Sequence, residues 1–218
     1  MGGPIGRCES FATVSKSTRC STDAMSAVAP RPLHHGVVSL LDPGATGQIR
    51  ETWTKLEREF GLRGVLVMPF PHFSYQVARG YDRTKMETTL SQLAQEIAPF
   101  EIRTKGLATF EGPWPVVYVV VKKDPSLRAL HLRVWSTCLP HASEPVPYYR
   151  PEAWTPHITL AHGDEHHSVP LSGDQVRAVL GMLNPKKFKW TISVDNIALV
   201  WDDGTVQSPV RTFPLRGR

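Results

Sequence analysis

The stretch PHITLAHG, Pro156 to Gly163, has a looser copy earlier in the chain, PHFSYQVA, Pro71 to Ala78. Both carry Pro, His, a variable residue, a small hydroxyl residue and then an apolar or aromatic one. Side chains alternate between two faces of an extended strand. His72 therefore shares a face with Ser74, while Phe73 and Tyr75 take the other; His157 pairs in the same way with Thr159, and Ile158 with Leu160. The apolar sets belong in a core, which leaves each imidazole and hydroxyl for an open face.

The surroundings of the two motifs repeat as well. GVVSLLD, from Gly36, reads as a strand, followed by a helix from about Ala45 to Phe60 with Ile49, Trp53, Leu56 and Phe60 on one face. After the first motif, Thr84 and Glu87 have capping-box spacing ahead of Leu90, Leu93, Ala94 and Ile97. EIRTKGLATFEG and WPVVYVVVKKD then read as a hairpin. In the second half Asp124 and Pro125 open a helix ending near Cys138. The second motif strand and a helix capped by Ser172 and Gln175 come next, followed by the strands FKWTISVDNIALVWDD and VQSPVRTF. This order predicts an α+β, bilobal, duplicated fold: two antiparallel sheets flanking a central cleft with helices outside, the lobes sharing residues 35–125 and 126–218.

If an approximate twofold relates the lobes, two imidazoles and two hydroxyls meet around one small ligand. Such a set suits phosphodiester chemistry. Histidine titrates near neutrality, so one ring can accept a proton from water while the other donates to the leaving oxygen, each contributing on the order of 10²–10⁴ in rate. Ser74 and Thr159 can donate to the nonbridging phosphate oxygens. One His-x-Thr alone is weak, because a lone strand histidine is more often a surface or satisfied core residue. Two copies in matching contexts form a pattern.

With these residues and this element order, the chain resembles the 2H phosphoesterase superfamily, nearest to its bacterial 2′-5′ RNA ligase and cyclic phosphodiesterase branch. The resemblance covers roughly residues 35 to 215. It implies metal-independent action on 2′,3′-cyclic phosphates or 2′-5′ phosphodiester bonds. By position, His72 and His157 match the catalytic histidines, and Ser74 and Thr159 the phosphate-binding hydroxyls. The implied partner is a nucleotide or an RNA end with a cyclic phosphate. Hydrolysis is the first expectation; 2′-5′ ligation and a nucleotide- or RNA-binding module without turnover are the alternatives. Two departures stand out: Ser74 where Thr is common, and His162 where the RNA ligase branch often has Arg.

Tyr149, Arg150 and Trp154, just before the second motif, are further candidates for stacking a base and holding a phosphate. Arg103, Lys105, Lys122 and Lys123 fall on neighbouring strands as a positive rim or as charges that resist strand pairing. His162, His166 and His167 cluster near Asp164 and Glu165, but their spacing matches no established ligand pattern, and neither a metal nor a cofactor is expected.

The whole chain has 218 residues and a formal net charge of +5, which permits acidic partners without requiring them. Cys8, Cys20 and Cys138 are odd in number and without CxxC spacing, which argues against a disulfide framework and points to a reducing, cytoplasmic setting. The longest apolar run, Val116 to Val121, is too short to cross a bilayer. Residues 1–34 are poor in apolar periodicity and are expected to be a disordered extension, with transit-peptide-like composition or a start at Met25 as its two readings. No obligate protein partner is read from the sequence, and a monomer is expected.

Overall fold

The computed structural model describes residues 33–164 and 169–217. Its strands are β1 (His35–Leu40), β2 (His72–Tyr81), β3 (Phe100–Phe110), β4 (Val116–Val121), β5 (Ala142–Pro145), β6 (His157–Ala161), β7 (Thr191–Val194), β8 (Asn196–Asp202) and β9 (Gln207–Pro214). The helices are α1 (Pro43–Phe60), α2 (Arg83–Gln95), α3 (Pro125–Cys138) and α4 (Gly173–Met182). Two antiparallel sheets result, with strand orders β5-β2-β1-β8-β9 and β6-β4-β3-β7.

Each sheet draws strands from both halves of the chain, so the lobes are not the consecutive stretches 35–125 and 126–218. Two units build the centre, β1-α1-β2 and β4-α3-β6, each with its strands paired antiparallel; in the second, β5 intervenes between α3 and β6 and pairs with β2 in the other sheet. Their helices are exchanged. α1 leaves the first sheet and packs against β6 of the second, whereas α3 leaves the second and packs against β2 of the first.

Local chemistry sets the helix ends. The Asp42 carboxylate caps α1 by accepting the Ala45 N–H (2.9 Å), Pro43 supplies a preset first turn, and Gly61 closes it at φ 66°, a left-handed angle that glycine adopts without a Cβ clash. Ala45, Ile49, Trp53 and Leu56 form its buried face. Asp124 and Pro125 start α3 in the same way, and the box of Ser172 and Gln175 is formed at α4. The expected box of Thr84 and Glu87 is not: Asp82 caps α2 from two residues earlier, and Glu87 instead meets Arg83 and Arg211.

The run expected as one strand before Asp202 is two. Asp195 separates β7, in the second sheet, from β8, in the first. Asn196 makes the transfer possible by exchanging side-chain hydrogen bonds with the backbone of Leu40 at both its N–H and its C=O (2.9 and 3.0 Å). Phe73, Tyr75, Ile158 and Leu160 lie in one core with the helices, as the strand alternation requires. Among the described residues no helix is long and apolar enough to cross a membrane. Cys138 is a buried free thiol, while Cys8, Cys20, the extension up to residue 32, and Glu165, His166 and His167 lie outside the described residues.

Candidate active site

The proline before each histidine explains why the motif begins where it does. A residue preceding proline is held extended, which aims its carbonyl at the histidine that follows. Phe70 O faces His72 Nδ1 at 2.8 Å, and Thr155 O faces His157 Nδ1 at 2.8 Å. A carbonyl only accepts, so Nδ1 of each ring carries the proton and donates; Nε2 is left to bind or release a proton. The proline carbonyls are matched too, Pro71 O accepting from Leu41 N (3.2 Å) and Pro156 O from Val121 N (3.3 Å).

The hydroxyl residues are held from behind by indoles. Trp154 Nε1 donates to Ser74 O at 2.8 Å, and Trp53 Nε1 donates to Thr159 O at 3.2 Å. Each motif is thus braced by a tryptophan from outside its own strand. Trp154 is itself supported: His131 stacks on it with ring centroids 3.8 Å apart, and His131 Nε2 faces both Tyr75 O (3.1 Å) and Tyr149 O (3.0 Å). Ser74 Oγ and Thr159 Oγ1 make no hydrogen bond to protein among the described residues, and both residues line the cavity.

That cavity, about 720 Å³, is lined by His72, Ser74, His157 and Thr159 together, so the structure brings both motifs to one space. Tyr149 joins its wall. Arg150 is not among the residues that line it, and Trp154 is not a base-stacking surface: it is 2% exposed, and its indole serves Ser74. The pattern of apolar residues hid this, since a tryptophan in a proline-rich loop gives no sign of the carbonyl that it meets. The walls also contain residues that the motif parity does not pick out, Trp114, Arg79 and Glu144, along with the neighbouring Tyr148. Arg103, Lys105, Lys122 and Lys123 do not line the cavity.

Burial is the main electrostatic influence on the pair. It pushes the His72 ring down to about 4, partly offset by the Phe70 carbonyl and reinforced by the charge of His157. His157, packed by Phe110 and Tyr118 at 4.9 and 5.3 Å, is also lowered by burial against the opposing effect of the Thr155 carbonyl. Both imidazoles are therefore neutral at neutral pH in the ligand-free cavity. Repulsion between the two rings is mutual, so the cavity favours one proton on the pair over two. His162 is buried beside Gly163, with His72 and Thr159 across a small crevice.

Two antiparallel sheets meeting at a cavity that holds paired His-x-Ser/Thr strands fit the two-histidine superfamily that the motifs resemble. The family model described as the 2′-5′ RNA ligase superfamily matches residues 45–206, and the chain belongs to that superfamily. A putative phosphoesterase of Bacillus pumilus (strain SAFR-032) is 28% identical over 120 residues, covering 55% of this chain and 62% of the relative, less than two thirds of its length. Among solved structures, TT0787 of Thermus thermophilus aligns over 85% of this chain and 99% of its own with TM-score 0.59 and 22% identity. E. coli LigT complexed with NADP+ aligns over 85% and 98% with TM-score 0.53 and 20% identity. These likenesses support the fold.

Proposed function

We propose that the protein opens 2′,3′-cyclic phosphates of nucleotides or RNA ends by general acid-base catalysis, with His72 as the base and His157 as the acid. The observation that carries this is the shared cavity in which both imidazoles, each tied through Nδ1 to a backbone carbonyl, stand with two unengaged hydroxyls. The putative phosphoesterase among the relatives and the nucleotide in the LigT complex support the substrate class.

A phosphodiester brings a negative charge into a site whose motif residues supply no fixed cation. That charge favours an imidazolium, and we assign its proton to His157 because burial holds His72 down to about 4. His72, held neutral, accepts a proton from water as the water oxygen bonds to phosphorus. The bond from phosphorus to the 2′ or 3′ oxygen then breaks, and His157 gives its Nε2 proton to the departing oxygen. Ser74 and Thr159 hydroxyls donate to the nonbridging oxygens, where charge accumulates in the transition state. The product is a phosphomonoester, and proton exchange with solvent restores the pair. Each step uses this chain's own side chains.

The test is a panel of nucleoside and oligonucleotide 2′,3′-cyclic phosphates assayed in excess EDTA across pH. Turnover is expected to persist in EDTA. The kcat/KM profile should be bell-shaped: activity falls at low pH as His72 gains a proton near 4, and falls at higher pH as His157 loses its own below the ordinary 6.5. The maximum then lies on the acid side of neutrality, and kcat peaks at higher pH because the bound anion raises both rings. Tight binding of the nucleotides without turnover would replace hydrolysis with a binding role.

A further inference from the structure

The His72 strand does not keep its alternation. Val37 of β1 faces Gln76 of β2, but the next residue, Val38, faces Ser74, so β2 has one extra residue at Tyr75. The bulge reverses the parity beyond it. Phe73, Tyr75, Gln76 and Ala78 are all buried, whereas His72, Ser74, Val77 and Arg79 line the cavity. Strict alternation would have turned Ala78 to the cavity and Arg79 to the helices. The bulge instead aligns a guanidinium with the imidazole and hydroxyl of the first motif.

Arg79 is exposed and makes no hydrogen bond or ion pair among the described residues. It should have one. The pairing of β2 with β5 sets Ala78 opposite Pro145 and Gly80 opposite Ser143, which puts Glu144 directly across from Arg79. Glu144 has φ 48°, a left-handed angle uncommon for a residue with a side chain, and its carboxylate is not within ion-pair distance of Arg79. Ser74 and Arg79 are five residue steps apart along the strand, roughly 16 Å before the bulge shortens it. The floor along this path is apolar, made by Gly36, Val38, Val77 and Val200, and the exposed rings of Trp114 and Tyr148 stand on the walls. A single cyclic phosphate occupies only one end of such a space.

We infer that Arg79 is a second anion-binding point, and that the substrate class is a nucleoside with phosphate on both its 3′ and 5′ sides, the first at the histidine pair and the second at Arg79. This rests on the phosphodiesterase reading for the orientation of the ligand. The nucleoside between the phosphates lies over the apolar floor, and its base reaches the rings of Trp114 and Tyr148. The shared chemistry is a second phosphate, which either a free nucleoside bisphosphate or an RNA end can supply; the two differ in whether that phosphate is terminal or bridging.

Calorimetric binding separates these outcomes without depending on turnover. The ligands are adenosine 3′-monophosphate, adenosine 3′,5′-bisphosphate and a diadenosine dinucleotide with a 3′-phosphate, each measured with the wild type, Arg79→Gln and Glu144→Gln. In the wild type the bisphosphate or the dinucleotide should bind about tenfold more tightly than the monophosphate, with the advantage shrinking as salt rises. In Arg79→Gln the advantage should vanish, and in Glu144→Gln it should grow by about threefold. An advantage confined to the bisphosphate indicates a free nucleotide; one shared by the dinucleotide indicates an RNA end. Equal binding of all three ligands by the wild type, or an advantage that survives Arg79→Gln, overturns the proposal. Failure of every cyclic phosphate to turn over, with the Arg79-dependent advantage intact, would overturn the catalytic reading alone.

Discussion

The two halves of the cavity are built from one plan and finished differently. In each, a proline sets a carbonyl against Nδ1 of a histidine, and an indole N–H holds the carbonyl of the hydroxyl residue. A bulge follows the hydroxyl residue in both strands, at Tyr75 in β2 and at Leu160 in β6, but only the longer β2 runs on past it to the free guanidinium of Arg79, and only its brace, Trp154, is backed by His131. The His157 half has no matching guanidinium or stacked imidazole and instead sets its own ring edge-on against the stacked pair Phe110 and Tyr118. The shared parts position two proton carriers on one cavity. The unshared parts make the surroundings of the two rings unequal in a pair with nearly the same backbone, and burial holds His72 down to about 4; the proposed split into base and acid follows that inequality.

The comparison breaks most severely at the rings. His72→Ala and His157→Ala should each lower kcat on a cyclic phosphate by roughly 10²–10⁴, with near-wild-type thermal melting, because both residues are only half-buried and their turns are kept by the prolines. Steady-state kinetics beside a melting curve checks this. Ser74→Ala and Thr159→Val should cost less, about 10–10²-fold in kcat, and Ser74→Thr close to nothing, since the hydroxyl is retained. A loss in kcat with little change in KM would show that these hydroxyls act on the transition state.

The smallest expected effect compares the braces. Trp154→Phe and Trp53→Phe each remove the N–H that serves a motif carbonyl. Trp154 makes the shorter bond and carries the stacked His131, so its loss should cost more, about 2 kcal/mol against about 1 kcal/mol for Trp53. Denaturant midpoints measured at constant slope would order the two; the reverse order would show that the His131 stack adds nothing.

Much of this was legible in the sequence. The motif parity placed His72, Ser74, His157 and Thr159 together because alternation holds wherever a strand is regular. Asp124 and Ser172 announced their helices because capping is local chemistry. Arg79 was hidden for the opposite reason: a bulge depends on pairing with β1, and no pattern within β2 encodes it. The exchange of helices and strands between sheets was hidden as well, because residues 35–125 and 126–218 look like self-contained repeats until α1 is seen to pack on β6. Asp195 and Asn196, an adjacent polar pair in a largely apolar run, were the local mark of the transfer from β7 to β8. Trp154 read as a ligand surface because an aromatic beside an arginine has the same sequence signature whether it stacks on a base or on His131.

A double-mutant cycle on turnover of one cyclic phosphodiester tests the shared site most directly. If both rings serve the same phosphorus atom, the double variant His72→Ala/His157→Ala should be scarcely slower than either single variant, since losing one proton carrier already disables the concerted step. Losses that multiply in the double variant, or a single variant that keeps the wild-type rate, would show that the two imidazoles do not act together.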